Sequence, residues 1–175
     1  MEIIRTSNAV YKNQIVALYI EAFSTGLSQQ YVNPIELETY IASILENGYA
    51  LLALENGQVI GALLCCPFEF DKLIPAEINQ NFSIEKCVYV AEMMVSGNNR
   101  EQGIGKKLMH EFFETVDKSI YSDSFIRVWD ENIPALNLYI KVGFTPIATI
   151  QQTKVKKNGK ETFSMQKIYL HKRLI

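Results

Sequence analysis

The chain has 175 residues, of which 48% are hydrophobic and 21% are charged, and its formal net charge at pH 7 is −2. This is the composition of an ordinary globular domain, and a chain of this length buries enough surface to fold without disulfide or metal staples. The small net charge excludes a global field that would attract nucleic acid, so any anion site must be local. We expect a single domain spanning residues 1–175.

Three cysteines occur in the chain, Cys65, Cys66 and Cys87, and their spacing matches no zinc site. We expect them to be buried, reduced thiols, and we expect no bound metal. No apolar stretch has the length of a secretory signal or of a membrane span. These features favour a cytoplasmic protein that acts away from membranes.

Residues 1–48 are predicted to form a short strand and two helices. The strand is expected around Ile3, and apolar residues at three- and four-residue spacing between Val10 and Phe23 predict the first amphipathic helix. Pro34 suits the first turn of the second helix, which is expected to end near Gly48.

Two strands, at 49–54 and 59–64, are predicted to form a hairpin. The dipeptide Asn56-Gly57 lies between them, and it tolerates positive φ at both central positions of a tight turn. The segment 67–85 has no clear period, so we expect a long loop with room for one helical turn.

The middle of the chain is expected to alternate strands with helices. Residues 87–95 are apolar except for Glu92, which predicts a central strand buried on both faces. A turn at 96–99, an amphipathic helix at 103–118 and a strand at 125–129 are predicted to follow.

The C-terminal part is predicted to contain a short helix and a hairpin. Pro134 suits the first turn of the helix, and Gly143 is expected to end it. The segments 145–156 and 160–171 flank Asn158-Gly159, a second hairpin signal.

The most informative segment is the turn Arg100–Lys106, in which Arg100-x-x-Gly103-x-Gly105 follows a strand and opens a helix. A helix N-terminus has unpaired N–H groups and partial positive charge, and glycines let the backbone approach a ligand closely. The pattern therefore predicts a phosphate or pyrophosphate site, although it also occurs as a simple tight turn. The third glycine of the dinucleotide fingerprint and the Lys-Ser/Thr of a P-loop are both missing.

Together with a second segment, this turn resembles a known family. Residues 95–105 match the strand-end valine and the Gln/Arg-x-x-Gly-x-Gly/Ala motif of the GNAT superfamily of N-acetyltransferases. Residues 132–144 are similar to the family's Asn-x-x-Ala-x-x-x-Tyr-x-x-x-Gly-Phe segment, and the order of predicted elements agrees over nearly the whole chain. One departure is Gly97, where the family often has proline.

The resemblance implies an α/β (mixed α+β) fold of the GNAT type. Its central, twisted, mixed sheet would have six to seven strands and about four flanking helices, and the fourth and fifth strands would splay apart to admit a cofactor. It also implies an enzyme that moves an acetyl group from acetyl-CoA to a primary amine by direct attack in a ternary complex. The alternative is an acyl-CoA sensor, or a non-catalytic module, of the same fold.

The family's cofactor contacts can be carried over to matching positions. Amides from Gln102 to Lys106 would hold the pyrophosphate of coenzyme A, and backbone groups of residues 93–95 would pair with its pantetheine arm. Asn132 would contact the cofactor, although it could equally be only a helix cap. The residues expected at the cofactor are Met93, Met94, Val95, Arg100, Glu101, Gln102, Gly103, Ile104, Gly105, Lys106, Asn132 and Tyr139.

Two residues are candidates for the chemistry itself. The resemblance implies that Tyr139 protonates the departing thiolate, whereas the structural alternative is a core aromatic on a helix face. Glu92 is the ionisable group of the central strand and a candidate base for the amine. It lies three residues before Val95, so strand alternation points it to the other face unless a bulge intervenes.

The acceptor is expected to be a small-molecule or peptide amine, and its identity cannot be derived from the fold. Residues 24–35 and the segment 67–85 are expected to shape its pocket, and Trp129, Asp130 and Glu131 are further candidates on the substrate side. A homodimer is the commonest oligomer to expect.

Overall fold

The computed structural model describes residues 1–175 and contains seven strands and five α-helices. The strands are β1 (Glu2–Thr6), β2 (Tyr49–Glu55), β3 (Gln58–Pro67), β4 (Cys87–Val95), β5 (Asp123–Trp129), β6 (Thr145–Val155) and β7 (Thr162–Arg173). The helices are α1 (Lys12–Ser24), α2 (Pro34–Asn47), α3 (Ala76–Asn81), α4 (Ile104–Thr115) and α5 (Ile133–Lys141). None of the helices is both long enough and apolar enough to cross a membrane.

All seven strands form one mixed sheet in the order β1-β2-β3-β4-β5-β7-β6. Neighbouring strands are antiparallel except β4 and β5, which pair in parallel. That parallel pairing runs only from Cys87 to Val90, opposite Asp123 to Ile126. Beyond these residues the two strands separate, which confirms the predicted opening between the fourth and fifth strands.

Two apolar cores lie on the two faces of the sheet. On the first, which we call the α1–α2 face, helices α1 and α2 bury Ile15, Ile41 and Ile44 against the strands. On the second, the α4–α5 face, Leu108 and Phe112 of α4 pack with the strand side chains that point to the other side of the sheet. The helical stripes predicted from apolar spacing therefore lie against the sheet, as expected for amphipathic helices.

Local signals fix several element ends. The side chain of Asn33 accepts hydrogen bonds from the amides of Ile35 and Glu36 and so caps α2, with Pro34 as its first residue. In the β2–β3 hairpin, Asn56 and Gly57 both have positive φ, at 50° and 76°. This is the turn geometry that the Asn-Gly dipeptide predicts.

The structure differs from the sequence-based expectations in three places. The expected loop at 67–85 contains α3 and two 3-10 turns, so there are five α-helices rather than about four. Helix α3 has six residues and buries only Ile78, too little for an apolar period. Helix α4 ends at Thr115 because Val116 has extended backbone angles, and Val10 is 74% exposed because a 3-10 turn precedes α1.

Candidate active site

The gap between β4 and β5 exposes backbone groups at the C-terminal end of β4. The amide of Ser96 donates to the carbonyl of Ile60 on β3 at 2.9 Å. Backbone groups alternate sides along a strand, so Met94 also pairs toward β3 while Met93 and Val95 direct theirs toward the gap. The side chain of Met94 is buried in the core. Of the three residues predicted to contact the pantetheine arm, two, Met93 and Val95, therefore direct their backbone groups toward the opening.

The turn after β4 is shaped to present amides. Glu101 and Gly103 both have positive φ, at 63° and 76°, and Glu101 is one of only three non-glycine residues with such an angle. The first backbone bond of α4 runs from Lys107 N–H to the carbonyl of Gly103 at 3.0 Å. The amides from Ile104 to Lys106 are therefore left at the helix N-terminus without intrahelical partners, as an anion site requires.

Gly105 has a packing role in the same turn. A Cβ atom at this position would lie 3.1 Å from Leu138 Cδ2 and 3.5 Å from Met93 Cε. The absence of a side chain thus lets α4 start close to both α5 and the open end of β4. The two glycines of the motif serve different needs, one a positive φ and the other close approach.

Gly97, the departure from the family pattern, has its own contact. Its N–H donates to Glu21 Oε1 of α1 at 2.5 Å, and the hydroxyl of Ser96 also reaches this oxygen, at 3.4 Å. Proline has no N–H and could not make this bond. The substitution therefore gains an anchor from the turn to α1.

Helix α5 follows β5 and packs near the start of α4, where Leu138 borders Gly105. The side chain of Asn132 accepts from the amide of Ala135 at 3.4 Å, so it caps the helix and its role toward a cofactor stays a prediction. Tyr139 is 5% exposed and belongs to the core of the α4–α5 face. Burial, with a further contribution from the charge of Glu92, raises the pKa of Tyr139, so the phenol keeps its proton at neutral pH.

A β-bulge sets the position of Glu92. Leu64 of β3 is opposite Glu92 while Cys65 is opposite Val90, so Ala91 is the extra residue on β4. The bulge precedes Glu92 rather than separating it from Val95, and the two side chains therefore point to opposite faces. Glu92 faces α2, where it accepts a hydrogen bond from the hydroxyl of Tyr40 at 2.9 Å.

The environment of Glu92 favours its protonated form. Burial raises the pKa of Glu92 above its ordinary value, and the Tyr40 hydrogen bond and the charges of Lys167, Arg127 and Lys154 oppose this effect. A carboxyl group with a raised pKa is better matched to accept a proton near neutral pH than an ordinary glutamate is.

A buried ionic cluster that the sequence analysis missed lies next to Glu92. The guanidinium of Arg127 on β5 donates to both carboxylate oxygens of Asp71 at 3.1 Å and to the Tyr169 hydroxyl at 2.9 Å. The Tyr169 hydroxyl in turn donates to Asp71 at 2.7 Å. The available signal was Arg127 itself, the one charged residue within the predicted apolar strand 125–129.

Two lysines share this face of the sheet. Lys154 of β6 and Lys167 of β7 are half-buried, and Ile168, next to Lys167, packs on the opposite face. The connection between α1 and α2 bridges the end of the β6–β7 hairpin, where Tyr31 N–H donates to Val155 O and Lys157 N–H to Gln29 O, each at 2.9 Å. Part of the predicted acceptor-side region 24–35 therefore borders the lysine-bearing strands.

The other candidates are dispersed. Trp129 and Asp130 are half-buried at the C-terminal end of β5, whereas Glu131 is exposed. All three cysteines are free and buried, as expected. His171 pairs with Asp123 at 2.6 Å, at the end of β5 far from the opening.

Comparison with known proteins agrees with this geometry. The model of the Acetyltransferase (GNAT) family matches residues 13–144. The N-acetyltransferase YkwB of Bacillus subtilis, itself uncharacterized, is 31% identical over 119 residues, which is 61% of this chain and 52% of YkwB. The chain thus spans about half the length of this curated relative.

Solved structures share the fold. The ribosomal-protein-alanine N-acetyltransferase of Brucella melitensis has a TM-score of 0.73 at 19% identity, with 99% of each chain covered. The yncA protein of Salmonella typhimurium, solved with its cofactor acetyl-CoA, has a TM-score of 0.72 at 16% identity, covering 100% of this chain and 95% of that one.

The family match covers most of the chain, and the open β4–β5 pair and the amide-lined turn are present in the structure. The chain therefore belongs to the GNAT family of acetyltransferases, enzymes that use acetyl-CoA.

Proposed function

We propose that this protein is an N-acetyltransferase that moves an acetyl group from acetyl-CoA to the primary amine of a small molecule or peptide, by direct attack in a ternary complex. The observation that carries this proposal is the placement of Glu92 and Tyr139. Glu92 lies on β4 beyond its last pairing with β5, and Tyr139 lies in the core on the other face of the sheet, near enough for the charge of Glu92 to act on the pKa of Tyr139.

The residues around the gap suit the cofactor. The free amides from Ile104 to Lys106 would hold its pyrophosphate, and the backbone groups of Met93 and Val95 would hold its pantetheine arm. Arg100 Nε donates to the Val95 carbonyl at 3.4 Å, so this side chain links the turn to the open strand end. When bound, acetyl-CoA supplies a thioester carbonyl that an amine can attack.

Two proton-transfer roles follow from the surroundings of each group. Glu92, with its raised pKa, would take a proton from the acceptor ammonium, because only the neutral amine has a free electron pair. Tyr139 keeps its proton at neutral pH and would supply one to the departing thiolate. The hydroxyls of Tyr40 and Tyr169 already donate to Glu92 and Asp71, whereas that of Tyr139 makes no such bond.

Two measurements test the proposal. Isothermal titration with acetyl-CoA should show binding, and release of free CoA should require an amine from a panel of amino acids, polyamines and short peptides. Absence of acetyl-CoA binding would contradict the assignment. Binding without CoA release for any amine would favour the acyl-CoA sensor.

A further inference from the structure

The α1–α2 face of the C-terminal strands carries an excess of positive charge. Lys167 of β7 lies opposite Trp129 on β5 and Ile150 on β6, and Lys154 of β6 lies opposite Phe163. Residues at even spacing along a strand share a face, so both lysines point to the side on which Ile150 packs. That side also carries Glu92 and the Arg127 cluster.

The other charges on this face already have partners. Arg127 is balanced by Asp71 at 3.1 Å, and Glu92 accepts the hydroxyl of Tyr40. The remaining ion pairs join Lys12 to Glu38 and Lys156 to Glu161, and the His171 ring contacts Asp123 at 2.6 Å. Neither Lys154 nor Lys167 takes part in any ion pair.

Half-burying an ammonium group without an anion is costly. Burial lowers the pKa of Lys167 to about 8, with Lys154 and Arg127 acting in the same direction and Glu92 opposing them. Burial also lowers the pKa of Lys154. Glu92 can supply no more than one negative charge, so at least one of the two lysines is a surplus positive charge.

An unused hydrogen-bond acceptor lies beside the lysines. Gln152 precedes Lys154 by two residues on β6 and therefore shares its face, and its Oε1 atom is buried without a partner. Buried polar atoms are rarely left unpaired in proteins. An N–H donor is the complement that this oxygen lacks.

We propose that the acceptor amine carries an anionic group, a carboxylate or a phosphate, which Lys154 and Lys167 bind. The amine then lies toward Glu92 on β4 and the anionic group lies beside the lysines of β7 and β6, so opposite charges of the acceptor meet opposite charges of the protein. Gln152, next to Lys154 on β6, is available to a further donor of the acceptor. The α1–α2 connection, bonded to the end of the β6–β7 hairpin, borders this site. The inference rests on the proposed acetyl transfer and deepens it by naming the acceptor class.

Matched acceptors that differ only in the anion provide the test. L-Alanine would be compared with L-alaninamide, L-glutamate with L-glutamine amide, and O-phosphoethanolamine with ethanolamine, by CoA release at fixed acetyl-CoA. We expect a lower KM for the anionic member of at least one pair, by about tenfold or more, as for a hydrogen bond to a charged group. Binding of each member would also be measured by isothermal titration.

Lysine variants locate the effect. Lys154→Met and Lys167→Met should each raise the KM of the preferred anionic amine by about tenfold and leave its neutral partner within about twofold. Lys160→Met, at an exposed lysine of the same hairpin, is the matched control and should change neither.

A stability measurement excludes unfolding as the cause. Lys167→Met should raise the thermal midpoint at pH 7, because it removes a charge whose burial is unfavourable. In the parent protein this cost is relieved as pH rises above about 8, where folded Lys167 loses its proton and the unfolded chain still holds it. The gain in the variant should therefore shrink above that pH.

The outcomes separate this inference from the proposed function. Acetyl-CoA binding with equal or better transfer to the neutral members would overturn the anionic acceptor and leave the acetyltransferase intact. No preference for an anion in either kinetics or titration, or a preference that survives both lysine substitutions, also overturns it. Loss of acetyl-CoA binding would contradict the proposed function itself, and the titrations would still report on the anion site.

Discussion

The hydroxyl of Tyr40 on α2 donates a 2.9 Å hydrogen bond to Glu92 on β4, across 52 residues of sequence. This bond stabilises the charged form of a carboxylate whose burial favours the neutral form. Tyr40 is therefore a positioning residue that acts through Glu92, and its removal gives the sharpest test of the proposed base.

Glu92→Gln should lower kcat by about 10²- to 10⁴-fold, the range for loss of a general base, and should flatten the acidic limb of the pH–rate profile. Tyr40→Phe should keep that limb but move it to higher pH, because losing the hydrogen bond raises the pKa of Glu92 further. The rate of a base-catalysed step rises with pH through the pKa of the base, so a higher pKa of Glu92 moves the acidic limb to higher pH. Tyr11→Phe, remote from β4, is the control, and an unshifted limb in Tyr40→Phe would argue against Glu92 as the base.

Tyr139→Phe should lower turnover by about 10²- to 10⁴-fold while the Kd for acetyl-CoA stays nearly unchanged. The phenol is buried and keeps its proton at neutral pH, so it can act as an acid without contributing to the pyrophosphate site. Steady-state kinetics and isothermal titration give the two numbers. Tyr121→Phe, in the same core, serves as the control, and equal turnover in the two variants would remove the acid role.

Gly103→Ala should weaken acetyl-CoA binding by about tenfold or more, because distorting the turn misaligns amides that hold a charged group. It should also destabilise the fold by about 1–2 kcal/mol through its left-handed backbone conformation. Gly57→Ala is a matched control, since both glycines have φ of 76° and open space where a Cβ would lie. We expect the same stability loss in Gly57→Ala with unchanged affinity for acetyl-CoA, and equal affinities in both variants would count against the turn.

Arg127→Met should lower the free energy of unfolding by about 3–5 kcal/mol, because it leaves the buried carboxylate of Asp71 without its cation. Lys12→Met breaks an exposed pair, 3.9 Å long, and should cost less than about 1 kcal/mol. Urea denaturation of both variants measures the difference. Similar losses of unfolding free energy in the two variants would mean that the Arg127–Asp71 contact does not hold residues 68–73 against β5.

Local sequence signals predicted most of the fold. Asn33-Pro34 predicts the cap of α2 and Asn56-Gly57 predicts the β2–β3 turn, because each depends on the backbone preferences of single residues. The structure contains both the cap and the turn. Within 67–85 only room for one helical turn was predicted, and the position of α3 was not, because six residues with one buried side chain carry no period. A bulge was considered only between Glu92 and Val95, and the observed one at Ala91 was not predicted, because it arises from the pairing of β4 with β3.

The sequence by itself determined the family and the phosphate-binding turn, because positive φ at Gly103, close approach at Gly105 and a free helix start are properties of adjacent residues. Only the tertiary structure decided which charges are neutralised. Asp71 and Arg127 are distant in sequence and meet through sheet order, as do Tyr40 and Glu92. That pairing leaves Lys154 and Lys167 half-buried and unpaired on the α1–α2 face, since an ion pair depends on contacts between strands that no local pattern records.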